Sequence, residues 1–148
     1  MTKRIKVIYP VPMSENTREA IETQIPAQFI DARFDVEFVG SKRLMTLANS
    51  YYDMFIMEGI IVEAGMKAEE EGFDAVCINT VSDSGLSALR SRLSIPVIGP
   101  GQSSFHIASM LGQKFSILTM WQPWVPIYTK TLNEYGLINR CVSIRDID

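Results

Sequence analysis

Residues 74–92 read Asp-Ala-Val-Cys-Ile-Asn-Thr-Val-Ser-Asp-Ser-Gly-Leu-Ser-Ala-Leu-Arg-Ser-Arg. Ala75–Ile78 is a short apolar run of the kind that makes a strand buried on both faces. Small polar residues follow (Asn79, Thr80, Ser82, Asp83, Ser84), and Leu86, Leu89 and Leu93 then resume at helical spacing. At a junction of strand, polar turn and helix start, unpaired N–H groups and the helix dipole attract anions. Open α/β sheets place their ligands there.

The same unit recurs on both sides of this stretch. Ile5–Tyr9 predicts a first strand, stopped by Pro10. The turn after it carries Pro12 and Ser14, and Ser14 suits the N-cap of a helix that ends near Gln24, ahead of Pro26. Phe34, Val36 and Phe38 alternate with Asp35 and Glu37, as in an edge or half-exposed strand. A helix over about residues 50–72 gathers Tyr52, Phe55, Ile56, Gly59 and Met66 on one face, with Glu63 reaching its rim. Its acidic end, Glu69–Glu71, opposes the dipole and is expected to be solvated and frayed.

Ile95–Ile98 predicts a fourth strand, and Gly99-Pro100-Gly101-Gln102 a turn into a helix over Ser103–Leu111 that stops at Gly112. Phe115–Thr119 is a fifth strand, followed by Met120-Trp121-Gln122-Pro123-Trp124, a helix to about Tyr135 and a sixth strand, Cys141–Ile144. Strands and helices alternate through short connections. The fold class is therefore α/β: a parallel sheet flanked by helices, Rossmann- or flavodoxin-like. The polar turns after Tyr9, Asn79, Ile98 and Thr119 are all expected on one carboxyl edge.

Composition narrows the function classes. With 47% hydrophobic and 21% charged residues, the 148-residue chain can bury an ordinary core. The net charge of −3 and scattered cations leave no basic footprint for nucleic acid. No stretch approaches the roughly 18–20 apolar residues of a membrane span, and the apolar part of the N-terminus is too short for a signal peptide. Cys77 and Cys141 fall in predicted strands and read as free thiols of a cytoplasmic protein. A single histidine, His106, leaves no metal motif and reads as structural. Gly99-x-Gly101 ahead of Ser104 follows the wrong strand for a dinucleotide fingerprint, and Ser103 and Ser104 read as helix-capping residues.

Several stretches together resemble the aspartate/glutamate/hydantoin racemase superfamily. They are Phe73–Thr80 (Phe-Asp-Ala-Val-Cys-Ile-Asn-Thr) with Asp83-Ser84-Gly85-Leu86, then Ile95-Pro96-Val97-Ile98-Gly99, Ser104–Ala108 and Gly112–Thr119. Tyr135-Gly136 and Arg140–Asp148 complete the set. The resemblance runs from about residue 73 onward, and more loosely covers the first strand and its turn.

It implies two similar α/β domains with the active site between them: residues 1–98 as the first, and 99–148 as the start of a second that is incomplete relative to the family. Each domain of the family offers one catalytic cysteine from a strand-end turn. One thiolate removes the proton α to a carboxyl or carbonyl, and the other thiol returns one to the opposite face. Two departures stand out. Thr80 occupies the place of the first cysteine, and the second belongs to a stretch beyond residue 148. Asn79–Asp83, Gly99-Pro100-Gly101 and Met120-Trp121 are also similar to a branch labelled hydrogenase expression or maturation.

The resemblance thus implies an isomerase of the amino-acid or hydantoin racemase type, using neither cofactor nor metal and acting on a small carboxylate-containing molecule or a carbonyl-activated carbon. Thr80 stands in the catalytic place. Asn79, Val81, Ser82 and Thr119 would orient the acid, with Pro12 and Ser14 in the first binding turn and Trp121 walling the cleft. A homo-oligomer is expected. The competing reading is an inactive anion-binding or maturation accessory protein, with Thr80 and Ser82 merely capping the following helix.

Overall fold

The computed structural model describes residues 2–25, 28, 30–43 and 48–147. Two parallel sheets emerge. The first has the order β2-β1-β3-β4, built from Lys3–Tyr9 (β1), Phe34–Gly40 (β2), Ala75–Ile78 (β3) and Val97–Ile98 (β4). Ile5 stands opposite Val36 on one side and Ala75 on the other, and Val76 is opposite Val97. The second sheet pairs Phe115–Thr119 (β5) with Cys141–Asp146 (β6). The turn after Thr119 therefore belongs to this second sheet, not to the edge shared by the other three. Alternation of apolar and polar residues does not reveal where one sheet stops and another starts.

Among the described residues five α-helices connect the strands: Glu15–Gln24 (α1), Tyr51–Gly65 (α2), Leu86–Arg90 (α3), Pro100–Leu111 (α4) and Val125–Glu134 (α5). Ser14 caps α1, its Oγ accepting from the Thr17 N–H at 3.2 Å. β2 lies on the edge, as its alternation predicts. The main core joins Ile8, Val76, Ile78 and Val97 of the sheet to Ile61, Ala68, Leu86, Leu89 and Leu93. Each such Val, Leu or Ile side chain removed from water contributes about 1.5–3 kcal/mol.

The second helix corrects the sequence reading twice. Its buried residues are Ile60, Ile61 and Gly65, whereas Tyr52 and Phe55 are 72% and 71% exposed. The helix is apolar nearly all round, so periodicity alone picks no face. Contact picks it: a Cβ at Gly65 would lie 2.8 Å from Ile8 Cδ1, so the helix crosses β1 closely there.

The helix also ends at Gly65 rather than near Gly72, and the acidic tail is engaged rather than frayed. Glu69 Oε1 accepts from the N–H groups of Ser94 and Ile95, at 2.9 and 3.0 Å. Glu71 pairs with Lys6, which is only 4% exposed. Glu63 is exposed and lies 3.9 Å from Arg43. Glu69 and Glu71 thus tie the segment after α2 to β1 and to the residues entering β4, away from the edge where ligands belong.

Candidate functional site

The strand order reverses between β1 and β3, so the connections leaving their carboxyl ends diverge and leave a crevice. A cavity of about 300 Å³ sits there. Pro10 and Val11 line it after β1, and Asn79, Thr80, Val81 and Ser82 after β3. Met54 and Met57 of α2, with Ala48 ahead of it, form a second wall. Trp124, Ile127 and Tyr128 from the start of α5 close the side belonging to the second sheet. None of these lining residues carries a formal charge.

The turn after β3 is held by its own polar groups. The Asn79 N–H donates to the Ile8 carbonyl at 2.8 Å, extending the ladder one residue past the strand. The Ser84 N–H donates to Thr80 Oγ1 at 3.2 Å, and the Asp83 N–H to the Thr80 carbonyl at 2.9 Å. Thr80 Oγ1 thus accepts from the backbone and keeps its own proton to donate. Ser82 Oγ and Ser84 Oγ are 3.1 Å apart.

Asp83 adopts the left-handed region, with φ of 53°, and is buried. Its carboxylate accepts from the Gly101 and Gln102 N–H groups, at 2.8 and 2.6 Å, and from the Tyr135 hydroxyl at 2.6 Å. The anion site at the start of α4 is therefore filled by the protein itself. This explains the glycines around Pro100. A Cβ at Gly99 would lie 2.6 Å from the Asp83 carboxyl carbon, and one at Gly101 would collide with the Val81 carbonyl. The helix starts at Pro100, so Ser103 and Ser104 lie inside it rather than at its cap; Ser104 Oγ donates to the Gly101 carbonyl. His106 bonds through Nδ1 to the Gln102 carbonyl at 2.7 Å, a helix-internal contact.

The remaining sequence candidates lie outside the lining. Ser14 is occupied in capping α1, and the cavity is lined by Pro10 and Val11 rather than by Pro12. Trp121 packs edge-on against Trp124, with ring centroids 6.1 Å apart, and so backs the wall rather than forming it. Thr119 is buried at the end of β5, and its Oγ1 has no hydrogen-bond partner among the described residues.

Sequence reasoning missed Trp124, Ile127 and Tyr128, whose i, i+3, i+4 spacing directly after a strand-end turn was the available signal. Trp124 is fixed by its indole N–H, which donates to the Ala48 carbonyl at 2.7 Å.

Chemically, the cavity offers neutral donors and acceptors and, among the described residues, no ready base. Burial pushes the Tyr128 phenol up, so it stays protonated at neutral pH. Cys77 sits in β3 outside the lining, and burial and then the nearby Asp83 charge push its thiol up. Burial also raises Cys141, away in β6. Both cysteines are free. Among the described residues no cluster of His, Cys, Asp or Glu could hold a metal ion, and no helix is long and apolar enough to cross a membrane.

Comparison with known proteins agrees with this architecture. The Asp/Glu/hydantoin racemase profile matches residues 12–148. A hydantoin racemase from Pseudomonas sp. (strain NS671) is 35% identical over 145 residues, which make up 96% of this chain and 56% of that protein. The solved allantoin racemase from Klebsiella pneumoniae superposes with a TM-score of 0.87 at 27% identity, covering 99% of this chain and 59% of that one. A maleate isomerase from Pseudomonas putida S16 shares the fold, with a TM-score of 0.69 at 14% identity over 100% of this chain and 65% of that one. The chain thus spans a little over half the length of the racemases it matches. Profile, sequence identity and superposition converge: the chain belongs to the Asp/Glu/hydantoin racemase family.

Proposed function

We propose that the cavity between the two sheets binds a small carbonyl-bearing molecule for isomerisation, and that a neutral ring of the hydantoin type suits it better than a free carboxylate. In this reading residues 1–98 form one α/β unit, residues 99–148 begin a second, and the ligand lies between them. The observation that carries the reading is the lining itself: Asn79, Thr80 and Ser82 face a largely apolar wall, with no formal charge among the lining residues. An anion buried there without a cation meets a large desolvation cost, whereas a neutral ring needs only hydrogen bonds to its carbonyl and N–H groups. The cavity volume falls at the small end of ligand sites and fits a five-membered ring with one modest substituent.

Isomerisation at a carbon next to a carbonyl passes through an enolate, and hydroxyl and amide donors aimed at the developing oxyanion lower that barrier. Thr80 and Asn79 are placed for this, without a cofactor. Thr80, at the position of the family's first cysteine, is an electrostatic partner and not the base, because a threonine hydroxyl does not ionise at any ordinary pH. Among the described residues the lining supplies no other base. That observation favours a second reading, in which this scaffold binds the ring or a related small molecule without turning it over, as an accessory protein would.

Deuterium exchange separates the two. The protein is incubated in deuterated water with a panel of 5-substituted hydantoins and amino acids, with binding followed by calorimetry and the α-carbon by mass spectrometry. Deuterium at the α-carbon establishes the isomerase reading. Binding without exchange establishes the second, and absence of binding across the panel overturns both.

A further inference from the structure

Tyr128 and Thr119 form a polar pair that the chemistry above leaves unused. Tyr128 lines the cavity from α5, across from the Asn79–Ser82 turn. It stands one helical turn beyond Trp124, whose indole N–H is already committed to Ala48. The Tyr128 hydroxyl makes no hydrogen bond among the described residues and is left as a polar group on that wall. Thr119 lies behind it at the end of β5, 4% exposed, with Oγ1 lacking any hydrogen-bond partner among the described residues. A buried hydroxyl without a partner is costly, about 1–3 kcal/mol, so such a group calls for an explanation. Its neighbour supplies one. The Thr119 hydroxyl is close enough to Tyr128 to offset part of the upward push of burial on the phenol, although the two fall short of hydrogen-bond geometry.

We propose that Tyr128 is a ligand-recognition residue, whose hydroxyl donates to a carbonyl oxygen of the bound ring while accepting from Thr119 Oγ1. This rests on the reading of the cavity as a ring-binding site. The phenol has one proton, so the direction of its contact with Thr119 fixes what it shows the cavity. When Thr119 donates, Tyr128 presents a donor and selects a carbonyl. When Tyr128 donates to Thr119, it presents only lone pairs. A carbonyl-bearing ligand draws the pair into the first arrangement and gives the buried Thr119 hydroxyl its missing partner. Thr119 does not line the cavity and acts through Tyr128, as a positioning residue.

The test compares two probes by calorimetry: a 5-substituted hydantoin, and its analogue with the ring carbonyl beside the substituted carbon reduced to a methylene. The native protein is expected to bind the hydantoin about tenfold more tightly than the analogue, the ratio for one neutral hydrogen bond. Tyr128→Phe should weaken the hydantoin about tenfold and leave the analogue unchanged, erasing the discrimination. Thr119→Val should narrow the ratio to about threefold, and Thr119→Ser should restore it. Thermal unfolding of each variant confirms the fold.

An equal loss for both probes in Tyr128→Phe makes the residue a mere packing element and overturns the inference, as does undiminished discrimination. In both cases the ring-binding reading survives, because the native protein still takes up the hydantoin. If the native protein binds neither probe, the ring-binding reading itself fails and the inference falls with it.

Discussion

Two strand-to-helix turns in this molecule look alike in sequence and have opposite fates. The turn after β3 opens on a cavity, whereas the turn after β4 is closed by Asp83 reaching across from the first. Both lead from a strand into a helix. The difference lies in what occupies the space in front of them. A helix N-terminus is an anion site by default, but a carboxylate of the same chain can occupy it as well as a ligand can. Here the occupied turn supports the open one: Asp83 belongs to the turn that lines the cavity, and through Tyr135 it also ties that turn to the end of α5.

The contrast is most directly broken at Asp83. Replacing it by alanine removes three hydrogen bonds to a charged acceptor and leaves two helix N–H groups without their partner. Asp83→Ala should cost roughly 3 kcal/mol of stability in urea unfolding. A loss below about 0.5 kcal/mol shows that the closed turn does not depend on the carboxylate. Gly101→Ala attacks the same junction from the other side. Its Cβ would meet the Val81 carbonyl and the Asp83 carboxylate, and the overpacking should cost roughly 2 kcal/mol and weaken any ligand bound at the open turn.

Tyr135 sharpens the comparison through pH. Burial, and then the hydrogen bond to the Asp83 carboxylate, raise its phenol well above the ordinary value of 10.0. The folded protein keeps a proton that the unfolded chain gives up. The contribution is therefore complete below about pH 10 and is lost as pH rises toward the folded value. Tyr135→Phe should be about 1.5 kcal/mol less stable at neutral pH, and its stability should fall less steeply above pH 10 than the native protein's. Parallel curves for the two proteins count against the link.

The smallest effect on stability belongs to Thr80→Cys at the open turn, about 1 kcal/mol for the weakened acceptor to the Ser84 N–H. Its value is chemical. The new thiol faces a cavity, whereas burial pushes Cys77 and Cys141 up, so iodoacetamide at neutral pH should modify the variant faster than the native protein. Equal rates would mean that this turn offers no accessible, activated position.

Much of the frame was legible locally. The run Ala75–Ile78, the polar break and the leucines beyond it identify a strand, a turn and a helix, because period and turn chemistry act within a few residues. The Ser14 cap and the edge character of β2 were readable for the same reason. The apolar face of α2 was not, since a helix apolar all round takes its orientation from whatever packs on it. Of the candidate site, the turn 79–82 was visible as a strand end. The opposite wall was hidden, because Trp124 reaches it through a bond to Ala48, 76 residues away, and strand-end turns on two different sheets look the same in one dimension.

By itself, then, the amino-acid sequence determined the α/β alternation, the family and the turn that carries Thr80, all of which rest on neighbouring residues. The tertiary structure alone decided which of the two turns opens on a cavity. That choice depends on Asp83 meeting Gly101, Gln102 and Tyr135, the last 52 residues away, and on the connections after β1 and β3 leading to opposite sides. Strand order and long-range hydrogen bonds are properties of the packed chain, and no local pattern encodes them.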